Sequence, residues 1–343
     1  MKISTQLTYS GNPRETADQV AGLEQAGLDT IWVAEAYGFD AATLMGYLAA
    51  RTETVEIGSA ILNVYSRTPA LLAQTAAGLD NVSGGRAILG LGASGPQVIE
   101  GWHGVPYRAP VVRTREVIEV VRAALRREVV TYDGRQVTLP LPPDQGTGLG
   151  KPLKMLTHPE RSAVPIYVAA LGPRSVEMTA EHADGWLPFL FSPEGAQGVW
   201  GEALAAGAAR RSPDLAPLEV VGGGLVAIGD DVEDLLDLAR PHVALYVGGM
   251  GAREKNFYNQ LVSQYGFEAE AAHVQDLYLS GRKLEAEAAV PLELLRQTNL
   301  VGPEGHVRER LTAYAEAGVT NLNVTPVGDD PAGTVRRLKE WTS

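Results

Sequence analysis

The stretch Ile57 to Gly95, IGSAILNVYSRTPALLAQTAAGLDNVSGGRAILGLGASG, decides the fold. Its apolar start, 57–61, predicts a short strand. Thr68-Pro69 predicts a helix start, because proline lacks the N–H group that the first helical position leaves unbonded. Gly84-Gly85 predicts the end of that helix, since glycine adopts positive φ at little cost. One apolar face is expected along this helix, made of Leu72, Thr75, Ala76, Leu79 and Val82.

A second strand is predicted over 86–91, so the stretch has the order strand, helix, strand. This order is typical of a βαβ unit, whose parallel strands end at the same edge of the sheet. Binding sites of α/β proteins lie at that edge. The loops 60–67 and 90–95 are therefore the first candidates for a ligand floor.

The same residues resemble a known family, the luciferase-like flavin and deazaflavin oxidoreductases. The resemblance lies in G-x-x-x-x-N-x-Y-S-R-x-P, starting at Gly58, and in L-D-x-V-S-G-G-R-x-x-L-G-L-G, starting at Leu79. The pattern is most similar to the branch that uses coenzyme F420, which includes methylenetetrahydromethanopterin reductase. The resemblance extends from Ile3 to about Val327. It implies a (β/α)8 barrel and a deazaflavin cofactor.

Strand counting leads to the same fold class. Repeated helix, glycine and apolar strand units, such as 22–35 and 313–326, predict a parallel sheet with helical crossovers. We interpret the chain as a (β/α)8 TIM barrel; a doubly wound open sheet is the alternative, but no dinucleotide fingerprint follows the first strand. The eight predicted strands are Ile3–Thr8, Leu28–Ala34, Val55–Ala60, Arg86–Leu91, Val164–Ala169, Gly185–Phe189, Glu219–Ile228 and Thr320–Thr325.

Two segments do not fit the repeat, and we predict them to be insertions in a single domain, 1–343. Residues 128–163, before strand five, are expected to form a hairpin at Asp133-Gly134 followed by a Pro- and Gly-rich loop. Residues 248–291, before strand eight, have a helical pattern. Their aromatic residues are candidates for a substrate mouth, but ordinary packing is the favoured interpretation: Phe257, Tyr258, Tyr265, Phe267 and Tyr278.

Composition excludes several classes of function. The 343 residues are 45% hydrophobic and 20% charged, as in globular proteins, and a net charge of −12 argues against binding to nucleic acid or an anionic membrane. The absence of cysteine excludes disulfides and thiolate chemistry. Neither a signal peptide nor a membrane span is evident. We expect a cytoplasmic enzyme with a small-molecule substrate, and the resemblance implies a homodimer.

The resemblance implies the position of the cofactor ring. In the family, a bulge with a non-proline cis peptide lies behind the deazaflavin, and the matching bond is Ala60–Ile61. Asn63 follows this bulge and is a candidate for polarising the ring or the substrate, with a turn-capping side chain as the alternative. Ala93 and Ser94, after the fourth strand, are small, as a loop close to a flat ring must be.

The end of the second strand matches the family only in part. Related deazaflavin enzymes often have an acidic residue beside the ring, followed by histidine. Glu35 matches the acidic residue, but Ala36 replaces the histidine. The glutamate of the sugar-phosphate dehydrogenases is also missing, because the matching position is Gly95. These departures argue against a sugar-phosphate dehydrogenase.

The segment Ala169 to Ser175, AALGPRS, is the candidate phosphate site. Pro173 predicts a helix start, whose free N–H groups attract anions. The family places the cofactor phosphate on this loop, and the matching residues are Leu171, Gly172, Arg174 and Ser175. An ordinary turn is the alternative. Basic residues that could compensate the anionic tail of the coenzyme are Arg67, Lys151, Lys154 and Arg161.

His103 is the histidine that we favour for proton transfer, since it lies in a loop predicted over the barrel mouth. A histidine bonded only to backbone is the alternative. Histidine spacing does not suggest a metal site, and none is proposed.

The preferred function is an F420-dependent oxidoreductase that transfers a hydride between deazaflavin C5 and an organic substrate. Glu35, Asn63 and His103 are the candidate catalytic residues. One alternative is an FMN-dependent monooxygenase. Another is a deazaflavin-binding protein without turnover.

Overall fold

The computed structural model describes residues 1–7, 12–251 and 253–342. Thr8, the predicted end of the first strand, lies outside these residues. The barrel strands, β1 to β8 in chain order, are Lys2–Leu7, Thr30–Val33, Glu56–Ser59, Ala87–Gly92, Ile166–Ala169, Gly185–Leu187, Glu219–Gly222 and Asn321–Asn323. Every barrel strand is parallel to both of its neighbours, β8 pairs with β1, and β4 pairs with β3 and β5, which closes the sheet. The chain is thus a (β/α)8 TIM barrel, as predicted.

Helices cover the outside of the barrel and build the insertion before β8. The α-helices of the described residues, α1 to α14 in chain order, are Pro13–Gln25, Ala41–Ala49, Pro69–Ser83, Pro96–Gly101, Pro110–Leu125, Pro173–His182, Pro193–Ala208, Arg240–Ala244, Phe257–Val262, Glu268–Leu279, Lys283–Ala288, Leu292–Thr298, Glu304–Glu316 and Pro331–Thr342. Shorter 3-10 or π turns are Pro143–Gln145, Glu233–Ala239, Leu245–Gly249, Arg253–Lys255 and Ser263–Phe267. None of the described helices is both long and apolar enough to cross a bilayer.

Helix α3 begins and ends where the sequence predicts. The Thr68 side chain accepts a hydrogen bond from the Leu71 N–H at 3.2 Å, and Gly84 ends the helix at φ 67°. The predicted inner face is wrong at one position, because Val82 is 65% exposed. Asp80 and Ser83 are buried instead, because Asp80 binds an arginine of the insertion before β5.

The barrel is filled by side chains rather than left as a pore. Trp32, Ile88, Tyr167 and Val221 form a separate buried cluster inside it, as expected for alternate residues of barrel strands. Below them, the Tyr167 hydroxyl donates to Glu219, whose carboxylate also lies 3.6 Å from Lys2 Nζ. Ala60 and Leu187 pack against the upper side of the cluster. The ligand floor therefore rests on a solid core.

The prediction of one continuous seventh strand, Glu219–Ile228, is wrong, because the structure has two strands in this range. After β7, the chain breaks at Gly223-Gly224 and resumes as Leu225–Ile228 in a second sheet. Gly223 has φ 149°, and a Cβ atom there would lie 2.3 Å from the Asn323 carbonyl oxygen. This parallel sheet pairs Leu225–Ile228 with two other short strands, Leu300–Gly302 and Thr325–Pro326.

Both insertions are present, with one correction. Before β5, Tyr132–Asp133 pairs antiparallel with Thr138–Leu139, as the predicted hairpin requires. Before β8, the helical insertion is longer than the predicted 248–291, since helical turns extend from Glu233 to Thr298. The difference arises because this insertion packs around its own hydrophobic cluster, which also uses residues on either side of the predicted limits. Tyr265 contacts both this cluster and the main core.

Candidate active site at the barrel mouth

A bulge in the third strand forms the centre of the mouth. Gly58 lies opposite Ile88 and Leu62 lies opposite Leu91, so four steps along one strand face three along the other. The extra residue is a β-bulge. The Ala60–Ile61 peptide bond, where the resemblance implies a cis bond, is cis. Both residues are half-buried.

Two glycines of β4, Gly90 and Gly92, make room for the bulge. The buried Ser59 hydroxyl donates to the Gly90 carbonyl at 2.8 Å and accepts from the Gly90 N–H at 2.9 Å. A Cβ atom at Gly90 would lie 1.7 Å from the Ser59 carbonyl oxygen, and one at Gly92 would lie 2.9 Å from the Ile61 side chain. The glycines of the L-G-L-G motif are therefore required for close approach of the third and fourth strands.

Glu35 does not stand alone after β2. Arg67 donates to both Glu35 carboxylate oxygens, at 2.7 and 2.6 Å, and to Asp40 at 2.5 Å. The Ala41 N–H also donates to Glu35 at 3.1 Å. Burial alone would raise the pKa of Asp40, but hydrogen bonds from Thr43 and the charge of Arg67 lower it below its ordinary value. Arg67 thus has two carboxylate partners here and is not a free cation for the tail of a coenzyme.

The Asn63 side-chain oxygen, Oδ1, caps the loop after the bulge. It accepts from the Tyr65 N–H at 3.1 Å and from the Ser66 N–H at 2.7 Å. This is the turn-capping arrangement that the sequence left open. The Asn63 amide nitrogen faces His103 Nε2 at 3.4 Å. The structure therefore brings two of the three candidate catalytic side chains together and leaves the imidazole beside the mouth.

The loop after β4 is held from above by Tyr107. Its hydroxyl donates to the Ser94 carbonyl at 3.1 Å, and its ring stacks on Tyr65 at 5.1 Å between centroids. Burial raises the pKa of Tyr107 to about 12, with smaller contributions from Tyr65 and Tyr258. The hydroxyl is therefore a hydrogen-bond donor at neutral pH. Ser94 itself has φ 56°, an uncommon conformation for a residue with a side chain.

Helix α6 begins at the predicted phosphate loop. Gly172 precedes it in extended backbone, and no side chain caps the helix start. The Ser175 hydroxyl donates to the Gly172 carbonyl at 2.7 Å, and Trp200 fixes the loop through the Leu171 carbonyl at 2.8 Å. Arg174 is exposed. Because β5 lies next to β4, this helix start is at the same end of the barrel as the bulge, and the dipole there favours an anion.

A cleft of about 380 Å³ opens beside the bulge, between the loops that follow β2, β3 and β4. Its floor carries the Glu35–Arg67 ion pair, and His103 lies on its wall. The lining residues are Glu35, Ala36, Tyr37, Gly38, Asp40, Ser66, Arg67, Leu71, Trp102 and His103.

A larger groove, of about 430 Å³, lies on the outside of the barrel between α7 and α13. Its one arginine-bound carboxylate, Glu194, pairs with Arg310. None of the candidate site residues lines this groove, so the mouth is the candidate active site. Within 1–7, 12–251 and 253–342, no cluster of three or more histidine, aspartate or glutamate side chains is arranged to hold a metal ion.

Comparison with known proteins identifies the family of the chain. The family model described as luciferase-like monooxygenase matches residues 1–321. The chain belongs to the luciferase-like monooxygenase family. A Mycobacterium tuberculosis protein provisionally named a coenzyme F420-dependent oxidoreductase is 42% identical, over 99% of this chain and 97% of its own. The 5,10-methylenetetrahydromethanopterin reductase of Archaeoglobus fulgidus is 26% identical over 92% of this chain and 90% of its own. These relatives place the chain among oxidoreductases.

Solved structures of the luciferase-like fold are also similar. A coenzyme F420-dependent tetrahydromethanopterin reductase from Methanopyrus kandleri has a TM-score of 0.81 at 22% identity, covering 98% of this chain and 96% of its own. An F420-dependent secondary alcohol dehydrogenase, solved with an F420–acetone adduct, has a TM-score of 0.76 at 18% identity, covering 100% of this chain and 99% of its own. At these identities the likeness supports the barrel fold alone.

This luciferase-like chain also has mouth residues that the sequence did not single out. Phe189, just after β6, stacks on Tyr246 at 4.2 Å and contacts Tyr258 at 5.0 Å between ring centroids. Tyr258 was a candidate for the mouth, and it packs edge-on against both Phe189 and Tyr246. Tyr265, by contrast, packs on Trp200 and donates to the Leu190 carbonyl at 3.0 Å. Phe189 could have been suspected only from its place at a strand end.

Proposed function

We propose that the chain is a coenzyme F420-dependent oxidoreductase that catalyses hydride transfer between the coenzyme and a small organic substrate. The observation that carries this proposal is the bulge after Ser59, because it forms a ledge at the barrel mouth beside an open helix start. A flat ring needs a ledge of this kind, and its phosphate needs an anion site at the same end of the barrel.

The residues at the mouth fit the coenzyme. Ala60 and Ile61 offer a small surface for one ring face, and Ala93 and Ser94 border it. The uncapped start of α6 offers backbone N–H groups, and the exposed Arg174 offers a positive charge, for the phosphate. When bound, the deazaflavin supplies the carbon, C5, that carries the hydride.

The chain's own polar residues then divide the remaining work. Both Glu35 oxygens accept from Arg67, so we assign Glu35 an electrostatic and orienting role rather than proton donation. His103 is the side chain at the cleft best suited to move a proton at its Nε2 atom, which Asn63 faces at 3.4 Å. The surrounding loops exclude water and hold the substrate in place.

The anionic tail of the coenzyme is expected to remain near the solvent. Arg67 and Arg161, which the sequence offered as partners, are bound to acidic side chains. Lys151 and Lys154 are exposed on the insertion before β5. Salt screens charges in solvent, so an exposed tail does not conflict with the net charge of −12.

A binding titration tests the proposal directly. Coenzyme F420 and FMN are titrated separately into the purified chain, followed by deazaflavin fluorescence and flavin quenching. We expect F420 to bind at micromolar concentrations or below and FMN to bind more weakly. Preferential FMN binding with oxygen consumption would instead establish the alternative function, an FMN-dependent monooxygenase. If F420 binds tightly but no carbonyl or alkene substrate is turned over, the result would favour the other alternative, a deazaflavin-binding protein without turnover.

Variants of the phosphate loop sharpen this test. Gly172→Ala fits the free protein, because φ is −71° and the nearest atom to the new Cβ is Ser175 Oγ at 3.7 Å. If the phosphate sits on this loop, the methyl group should weaken F420 binding. Arg174→Ala should weaken it roughly threefold to tenfold. Arg336→Ala, another exposed arginine, is the matched control and should leave the affinity unchanged.

The remaining parts of the proposal concern the state of the protein. We propose a homodimer that acts in the cytoplasm. Light scattering coupled to gel filtration measures the mass against the 36.5 kDa of one chain. A monomer that still turns over would remove the homodimer from the proposal and leave the catalytic assignment intact.

A further inference from the structure

The cleft beside the bulge has a floor whose charge is set by three side chains. Glu35 and Asp40 contribute two negative charges and Arg67 one positive charge, so the floor has a net charge of −1. Arg67 already donates to both carboxylates. An anionic ligand would therefore meet an excess of negative charge and a cation that is already paired. A neutral ligand meets neither penalty.

The rim of the same cleft is aromatic and exposed. Tyr37 and Trp102, from the loops after β2 and β4, both line the cleft and are 64% and 67% exposed. Leu71, at the start of α3, also lines it and is 46% exposed. Large apolar side chains left in solvent around a concave site mark a surface that a ligand covers. Aromatic rings favour planar partners, because offset stacking adds to area burial.

We infer that this cleft is the substrate subsite and that it selects an uncharged, planar aromatic group, such as an aryl ketone, over anions and over saturated molecules of similar size. The inference rests on the proposed oxidoreductase function for the role of the cleft. Binding itself depends only on residues of the chain. The volume of about 380 Å³ lies within the range of roughly 300–1,000 Å³ that small-molecule sites occupy.

Three probes separate shape from charge. 2-Acetylnaphthalene is an uncharged aryl ketone, 2-naphthoate has the same rings with a negative charge, and 2-acetyldecalin is uncharged and has the same carbon skeleton with saturated rings. Each is titrated into the full chain by isothermal titration calorimetry. We expect 2-acetylnaphthalene to bind about fivefold or more tightly than either of the others.

Variants assign the binding to the cleft. Trp102→Ala and Tyr37→Ala should each weaken 2-acetylnaphthalene binding by about threefold to tenfold, since each removes an aromatic contact. Phe39→Ala is the matched control, because Phe39 is 76% exposed on the same loop as Tyr37 but does not line the cleft. All three side chains are exposed, so the variants are expected to fold, and circular dichroism checks this.

Asp40→Asn tests the charge of the floor. An asparagine oxygen can still accept the Thr43 N–H at the start of α2, which Asp40 now bonds at 2.9 Å. The substitution removes one negative charge, so the net charge of the floor changes from −1 to zero. We expect the affinity for 2-naphthoate to rise by about twofold to fivefold, the range suited to a half-exposed charge, while the affinity for the ketone stays constant.

Several results would overturn the inference. One is that 2-naphthoate binds as tightly as 2-acetylnaphthalene. Another is that Trp102→Ala and Phe39→Ala have the same affinity for 2-acetylnaphthalene. The third is that 2-acetylnaphthalene shows no measurable binding. The F420 titration is independent of these measurements. A chain that binds the ketone but not F420 would retain the subsite and lose the proposed function, whereas the opposite result would lose the subsite alone.

Discussion

Replacing Asp80 with asparagine should destabilise the protein strongly, although Asp80 lies in a motif that resembles a functional signature. Its side chain is fully buried at the end of α3. Both carboxylate oxygens are engaged: Arg161 donates from its backbone N–H at 3.1 Å and from its guanidinium at 2.5 to 3.1 Å. The Ala87 N–H donates at 3.3 Å. The ion pair joins the insertion before β5 to α3, and hydrogen bonds between both partners and the Ala87 backbone extend it to the start of β4.

The magnitude follows from burial. Removing one partner of a buried ion pair costs about 3–5 kcal/mol, because the other charge is left uncompensated. Arg161 is 33% exposed, so water partly solvates it in the variant, and we expect a smaller cost, about 2–4 kcal/mol. An amide group would also turn N–H donors toward the guanidinium, which has only donors.

Equilibrium unfolding in urea, followed by circular dichroism, measures this cost. Asp276→Asn is the matched control, because Asp276 pairs with Arg253 while both side chains are more than half exposed. Surface pairs of that kind contribute at most about 1 kcal/mol. An unfolding free energy for Asp80→Asn within about 0.5 kcal/mol of the Asp276→Asn value would refute the reasoning.

Three further predictions concern the site and the frame around it. His103→Ala should lower turnover roughly 100-fold or more while F420 affinity stays within a factor of two; full activity, equal to that of the exposed His273→Ala control, would remove His103 from the mechanism. Ser59→Ala should cost about 1–3 kcal/mol in urea unfolding, because both backbone groups of Gly90 lose their partner. Burial alone would raise the pKa of Glu24. Hydrogen bonds from three backbone N–H groups before β3 outweigh this effect and hold the pKa below its ordinary value of 4.5. Its stabilisation should therefore be complete at neutral pH and disappear as the pH falls below that value, so stability curves of the protein and of Glu24→Gln should converge in acid; parallel curves down to pH 3 would contradict this assignment.

Local signals in the sequence were sufficient for the frame of the barrel. The cap at Thr68 and the left-handed Gly84 depend on neighbours in the chain, so their residue types reveal them. The break at Gly223-Gly224 was missed, because an apolar run on both sides is the expected pattern of one buried strand. The two glycines are explained by the folded structure, because a Cβ atom at Gly223 would lie 2.3 Å from the Asn323 carbonyl oxygen and one at Gly224 would lie 2.2 Å from the Thr298 carbonyl oxygen.

The candidate site was predicted as a set of positions rather than as a set of contacts. Glu35 and Arg67 were both candidates, but for different tasks, and they are 32 residues apart in the chain. Their ion pair exists because β2 and β3 are neighbours in the sheet. Asn63 shows the same limit, since its oxygen serves the turn and only its nitrogen faces His103. Pairing across loops requires the folded barrel.

Strand β4 explains why one motif carries both structural and functional information. At its start, Arg86 donates to the carbonyls of Ala49 and Thr52, and Asp80 holds Arg161, so this end fixes neighbouring loops. At its other end, Gly90 and Gly92 leave room for the bulge. The two ends are only a few residues apart. Because Gly90 and Gly92 have no side chains to hold their end of the strand, we infer that the hydrogen bonds at the start of β4 help to position it. Substitutions at Asp80 should therefore lower the stability of the chain first and its affinity for the coenzyme only as a consequence, whereas Gly90→Ala should disturb the ledge directly.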